Sequence, residues 1–155
     1  MPTLRADLVD AYVFHRAPGL ELLQLRRALD PLRATWQPVM GHVEPGETAV
    51  ACLWRELREE TGLSPRDALG AWALEQVHPY FVADLDAVIM SPRFAVEVAP
   101  GWEPTLNHEH DAARWVDLND AEARFLWPGQ HAAIRELASM LGHPERAAVL
   151  RLPGA

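Results

Sequence analysis

Lysine is absent from this 155-residue chain, and all 14 basic residues are arginine. No ammonium group is therefore available to hold a phosphate, and only guanidinium forks can play that part. Cysteine is almost absent too. Cys52 alone excludes an internal disulfide and fits a reducing compartment. No apolar run has the length of a membrane span, and acidic residues come early in MPTLRADLVDAYVFHR. A signal peptide is not visible, so a cytoplasmic chain with no membrane partner is expected. Positive charge is in deficit: 14 basic against 22 acidic residues leaves a formal net charge of -8. General affinity for nucleic acid or anionic lipid is excluded on that balance. An anionic substrate would need local neutralisation, for which a metal ion is the obvious candidate.

What is present is an ordinary globular mixture, 49% hydrophobic and 23% charged, in a length suited to one domain over residues 1–155. LVDAYVF (8–14) and ELLQLRR (21–27) read as strands on either side of a turn at Ala17-Pro18-Gly19. A loop over 30–38 leads to a short strand near Val39, and 41–46 reads as a tight loop. From Glu47 or Thr48 to Thr61 the spacing is helical, with Gly62 as the stop. WALEQVHPYF (72–81), LDAVIM (85–90) and RFAVEV (93–98) are rich in β-formers, and ARWVDL (113–118) adds a strand after a polar loop. A helix over 129–141 closes the domain, and the final LPGA reads as a frayed tail. Strands around two helices predict an α+β class or a three-layer α/β/α sandwich.

The stretch GHVEPGETAVACLWRELREETGL (41–63) is the most informative in the chain. Glu59 and Glu60 stand three and four positions after Glu56, the spacing that places side chains on one helix face. Three like charges there repel. A hard divalent cation, Mg²⁺ or Mn²⁺, reverses the sign of that effect because it prefers carboxylate oxygens. The plainer reading is a solvated acidic face, with Arg55 and Arg58 as its partners.

The surrounding residues complete a known pattern. Gly41, Glu47, Arg55, Glu56, Leu57, Glu59, Glu60, Gly62 and Leu63 match G-x5-E-x7-R-E-U-x-E-E-x-G-U, with U a bulky aliphatic, at every position. The chain thus resembles the Nudix hydrolases. LQLRR (23–27), TWQPVMGHVEPGET (35–48), EHDAARWVDL (109–118) and WPGQHAAIREL (127–137) extend the resemblance toward the small bacterial pyrophosphohydrolases of nucleoside and pterin triphosphates. It implies the Nudix fold, a mixed sheet in an α/β/α sandwich. It also implies Mg²⁺ or Mn²⁺ held by Glu56, Glu59 and Glu60, with the Met40 backbone carbonyl as a further ligand. Arg55, counted with Glu56 and Glu59 in the catalytic set, would pair with Glu47 to brace the loop. Gly41 and Gly46 would let that loop turn, and Gly62 would cap the helix.

Outside the box, Glu109 matches a downstream glutamate that serves relatives as an extra ligand or general base. The alternative is a plain loop glutamate. His108 and His110 flank it, but oxygen ligands dominate the pattern and argue against a histidine metal site. Arg26 and Arg27 match a basic pair that reaches substrate phosphates, and Trp36 matches an aromatic near the base pocket. Either assignment competes with surface or core placement. Tyr80 and Phe81 are weaker pocket candidates. Trp72, Trp115, Trp127 and Cys52 are expected in the packing.

The resemblance implies hydrolysis of a diphosphate linkage in a nucleoside or pterin triphosphate by a monomer or homodimer, with no nucleic-acid partner. Nucleotide sugars or dinucleoside polyphosphates are the alternative substrates, the latter disfavoured by the missing lysine. A non-catalytic nucleotide sensor is the alternative of another class.

Overall fold

The computed structural model describes residues 1–154. Among the described residues ten strands and four α-helices follow one another as β1 (Thr3–Arg5), β2 (Leu8–His15), β3 (Glu21–Arg27), β4 (Trp36–Gln37), β5 (Val39–His42), α1 (Ala49–Thr61), β6 (Ala68–Ala73), β7 (Tyr80–Val82), β8 (Ala87–Ile89), β9 (Arg93–Val98), β10 (His110–Asp117), α2 (Leu118–Arg124), α3 (Pro128–Leu141) and α4 (Pro144–Leu150). β1, β8 and β7 make a small sheet. The large sheet runs β10-β3-β2-β9-β6 and is mixed, because β2 pairs with β9 in parallel and with β3 antiparallel.

β2 and β3 hydrogen-bond only where Phe14 and His15 meet Leu22 and Glu21. Beyond that they diverge. β5 pairs with the start of β2, and β4 with the end of β3, so both short strands lie inside the fork.

Side chains alternate across a strand, and β2 shows it plainly. Val9, Ala11 and Val13 join Cys52, Leu53 and Leu57 of α1 in one core; Tyr12 and Phe14 join Ala133, Ile134, Leu137 and Met140 of α3 in the other. The sheet is therefore sandwiched between α1 and the α2–α3 pair, the expected α/β/α arrangement. Leu53 and Leu57 are fully buried, each worth about 1.5–3 kcal/mol.

Several expectations are corrected. Residues 72–81 are not one strand. β6 begins at Ala68 and ends at Ala73, and the chain then leaves the ladder because the amides of Glu75 and Gln76 turn to the Glu136 carboxylate. Strand structure resumes only at Tyr80. The 41–46 loop is shorter than read, since β5 runs through Gly41 to His42. β4 lies inside the 30–38 stretch expected to be loop, and β1, α2 and α4 fall in segments to which the sequence assigned no element. Trp72 is buried as expected and Trp115 packs on the α1-side core, whereas Trp127 is 51% exposed. Leu152, the first residue of the expected tail, is docked rather than frayed: Arg151 before it bridges to Trp72, the Leu152 amide donates to the Ala71 carbonyl, and Leu152 packs on the core. Ala155 lies outside the described residues.

Candidate active site

The acidic helix is fixed at both ends by local chemistry. Thr48 caps α1, its hydroxyl accepting from the Ala51 amide at 3.1 Å. At the other end Gly62 takes φ 75°, and its amide and that of Leu63 return to the carbonyls of Arg58 and Leu57. These caps set the helical phase that aims Glu56 and Glu60 at β5.

Gly41 earns its place by absence of bulk. A Cβ there would lie 2.0 Å from the Glu56 Cδ, so the Glu56 carboxyl is seated directly against the strand backbone. Gly46 makes the turn that follows, at φ 82°.

Arg55 is the clamp. Its Nε and Nη2 donate to the two Glu47 oxygens at 3.0 and 2.9 Å, its Nη2 also reaches the His42 carbonyl at 2.8 Å, and its Nη1 reaches Glu56 at 2.6 Å. Such forked, charge-assisted pairing is strong and directional. It holds the Glu47 carboxyl down at about 2. Burial lifts the adjoining Cys52 thiol to about 12, leaving it unreactive at neutral pH.

The carboxylates divide into three environments. Glu59 is exposed and only 3.5 Å from Arg55. Glu56 is partly buried, and its pKa is raised by desolvation, with Glu59 and Glu109 adding to the effect. Glu60 is 2% exposed, and desolvation, followed by the negative fields of Glu56 and Glu109, pushes it up to about 9. Arg27 and the Met40 backbone amide favour its charge, but less strongly. Its Oε2 has no hydrogen-bond partner and lies 3.8 Å from the equally unpartnered His110 Nδ1. That distance is beyond a hydrogen bond. Desolvation also lowers the His110 pKa, so this is a neutral pair rather than a salt bridge. The His110 Nε2 meets the Gln37 amide at 3.2 Å. Glu109 stands just before β10, with its amide held by Asn107 and its carbonyl taken by the Ala28 amide.

Among the described residues no three His, Cys, Asp or Glu side chains converge as a finished ligand set. The chemistry of those present nonetheless fits a hard divalent cation. Glu56, Glu60 and Glu109 lie within one another's fields, one of them has a buried orphan oxygen, and all offer oxygen donors.

The remaining expected residues are more dispersed. Arg27 spends its Nε on the Leu29 and Pro31 carbonyls at 3.1 and 2.9 Å, bracing the 28–35 loop. Arg26 is paired with Asp111 at 2.6 Å and lies 5.9 Å from the Trp36 ring centre. Arg114 sits over Trp36 at 4.0 Å, its Nε anchored by Gln24. Trp36, Thr35, Arg124, Phe125 and His131 line a cavity of about 510 Å³. Tyr80 is on the small sheet, within the fields of Asp10 and Arg93. Sequence spacing does not reveal His110 as the neighbour of Glu60 or Gln37 as the partner of His110. From sequence His110 offers itself only as a transition-metal ligand, and the β3–β10 register that places it beside β3 is a tertiary fact.

The NUDIX domain description matches residues 6–138, most of the chain. The chain belongs to the Nudix family. Over 130 residues this Nudix chain is 34% identical to an octanoyltransferase of Myxococcus xanthus, the match covering 81% of this chain and 34% of that one. It is 32% identical over 97 residues to the asymmetrical bis(5'-nucleosyl)-tetraphosphatase of Sus scrofa, covering 56% and 58% respectively. The Nudix chain thus spans about a third of the first relative and just over half of the second. Among solved structures, the E. coli dihydroneopterin triphosphate pyrophosphohydrolase superimposes with a TM-score of 0.72 at 21% identity, over 88% of this chain and 97% of that one. That likeness is one of fold. No helix among the described residues is long and apolar enough to cross a membrane.

Proposed function

We propose that this Nudix protein hydrolyses a diphosphate linkage in a nucleoside triphosphate or pterin triphosphate, releasing a monophosphate and pyrophosphate. One observation carries the reading: Glu60 is buried beside Glu56 and Glu109 with an orphan oxygen. A folded chain gathers that many carboxyl groups, one of them buried and protonated, best where a cation is meant to displace the proton.

Glu56, Glu59, Glu60, Glu109 and the Met40 carbonyl are the residues that would hold Mg²⁺ or Mn²⁺. When bound, such an ion neutralises the anhydride oxygens and acidifies water. The chain's own residues do the rest. Arg55 keeps Glu56 against Gly41 and so sets the distance between helix and strand. Glu109 accepts the proton of the attacking water as its oxygen bonds to one phosphorus. The bond from that phosphorus to the bridging oxygen breaks, and pyrophosphate leaves. Arg26, which can exchange Asp111 for substrate, offers a fork to the phosphates. Trp36 borders the cavity suited to a ring, although Arg114 already covers one of its faces.

Dinucleoside polyphosphates are the second reading, supported by the pig tetraphosphatase relative. Product analysis with Mg²⁺ across nucleoside triphosphates, dihydroneopterin triphosphate, diadenosine polyphosphates and nucleotide sugars tests both. Pyrophosphate plus one monophosphate is the expected outcome. Cleavage of the dinucleoside compounds alone supports the second reading, and no turnover by folded, metal-loaded protein supports a nucleotide sensor.

A further inference from the structure

Two buried polar atoms face each other beside the acidic helix. Glu60 Oε2 and His110 Nδ1 are 3.8 Å apart, and neither has a hydrogen-bond partner among the described residues. Their residues are 2% and 4% exposed, so bulk water does not serve them. Each is the other's nearest opportunity.

The far side of the ring decides where its proton lies. His110 Nε2 is 3.2 Å from Gln37 Nε2, and a side-chain amide nitrogen can only donate. The ring nitrogen it meets must therefore accept. A protonated imidazolium would set two donors against each other there, and the Nε2–H tautomer would do the same. Only the neutral ring with its proton on Nδ1 fits, and Nδ1 is the nitrogen that faces Glu60.

Three elements supply the arrangement. Glu60 rides on α1, Gln37 lies on β4, and His110 opens β10. β3 is the common neighbour: Leu25 is the register partner of Gln37, and Arg27 that of His110. The register shifts between His110 and Ala112, an irregularity of the kind that re-aims a side chain. Charged groups near the ring have partners elsewhere, Asp111 in Arg26 and the Arg27 Nε in the Leu29 and Pro31 carbonyls.

We propose that His110 is a positioning residue for Glu60: its Nδ1–H holds one carboxylate oxygen and leaves the other for a divalent cation, while Gln37 fixes the tautomer. The proposal rests on the reading of Glu60 as a cation ligand given above. A hydrogen bond to a carboxylate is shorter and stronger than one to a neutral acid. The 3.8 Å separation therefore belongs to the uncharged pair, and it closes when a cation displaces the Glu60 proton. His110 itself touches neither the cation nor the substrate.

The test uses the full chain and reads the ring and the metal apart from turnover. Nitrogen-15 spectra of histidine-labelled protein in EDTA distinguish the two neutral tautomers, and the signal lost in His110→Asn assigns the ring among the seven histidines. The expected result is an Nδ1–H ring whose Nδ1 resonance moves when Mg²⁺ is added. An Nε2–H ring, or an Nδ1 signal indifferent to the ion, overturns the proposal. Mn²⁺ binding by electron paramagnetic resonance is then compared between two amide substitutions. His110→Asn keeps a donor close to the Nδ1 position and should retain the affinity. His110→Gln carries its amide to the Nε2 position and should bind Mn²⁺ about tenfold to a hundredfold more weakly, the usual loss when a ligand's supporting partner is removed. Equal losses in the two variants, or none, overturn the proposal. Should either variant fail to fold, Gln37→Met leaves the ring in place. The Nε2–H form should then appear and Mn²⁺ binding weaken, and an unchanged ring with unchanged affinity counts against the proposal. Mn²⁺ binding that separates the Asn and Gln variants, without turnover of any anhydride, keeps the positioning role and sinks the hydrolase; turnover with an Nε2–H ring does the reverse.

Discussion

Replacing Glu60 by glutamine removes a charge that the fold opposes in the absence of a cation. The carboxyl titrates near 4.5 in an unfolded chain and at about 9 in the native state. The native state therefore binds the proton more tightly, and the stability this gives is complete below pH 4.5 and lost as pH rises through 9. At pH 7 the folded carboxyl is protonated and the unfolded one is ionised. Taking up that proton across 2.5 pH units at about 1.36 kcal/mol each costs about 3 kcal/mol. Glutamine is neutral at every pH and nearly the same shape. In EDTA at pH 7, Glu60→Gln should accordingly be the more stable protein by up to about 3 kcal/mol, or about 6–12 °C in midpoint for a chain this size. The gap should close toward pH 5 and widen toward pH 9. Asp10, pushed up to about 6 by burial, lends both proteins the same slope at the acid end. Mg²⁺ should then raise the midpoint of the wild type, most at alkaline pH where it need not displace a proton, and leave the variant nearly unmoved. Scanning calorimetry from pH 5 to 9, with EDTA and with Mg²⁺, reads all of this. Parallel pH curves, or an equal Mg²⁺ response in the two proteins, would refute the placement of Glu60 in a cation site.

Gly41→Ala should displace Glu56 from the strand and lower turnover at least tenfold, with the circular dichroism spectrum kept; an active variant would show that Glu56 need not lie there. Arg55→Ala should destabilise the protein measurably, since it strands the Glu47 carboxylate and the partly buried Glu56 without their partner. The Glu47→Ala, Arg55→Ala double mutant should lose much less than the sum in urea titrations, and strict additivity would deny the clamp. Glu59→Gln should remove most activity while the melting curve is unchanged, and near-normal turnover would count against the metal helix. Glu109→Gln should lower kcat with little change in KM; an unaltered kcat returns it to a plain loop residue.

The α1 region was legible because its signals are local. Thr48 and Gly62 mark its ends, and the three-and-four spacing that aligns the glutamates also aligns Leu53 and Leu57. β2, β3 and β9 were legible for a similar reason, as runs of β-formers bounded by turns. The 72–81 error has a physical source: composition alone favours a strand, but its backbone donors are claimed by Glu136 on a helix 60 residues away. α2 and α4, at seven residues each, are too short to stand on propensity and exist through packing on α3. The separate environments of Glu56, Glu59 and Glu60 were also invisible from spacing, which gives a shared face but not depth. Arg27, matched in sequence to a phosphate contact, also ties down its own loop through its Nε, a tertiary detail that the motif does not carry.

The docked C-terminal segment has a bearing on solubility. β6 is the outermost strand of the large sheet, and an outermost strand with free amides and carbonyls invites pairing with another chain. Arg151 and Leu152 occupy that edge at Trp72 and Ala71, so this short segment acts as a stopper against sheet-to-sheet growth. A chain cut after Leu150 would keep every residue of the acidic helix and both cores nearly whole, yet leave an aromatic strand edge open to its neighbours.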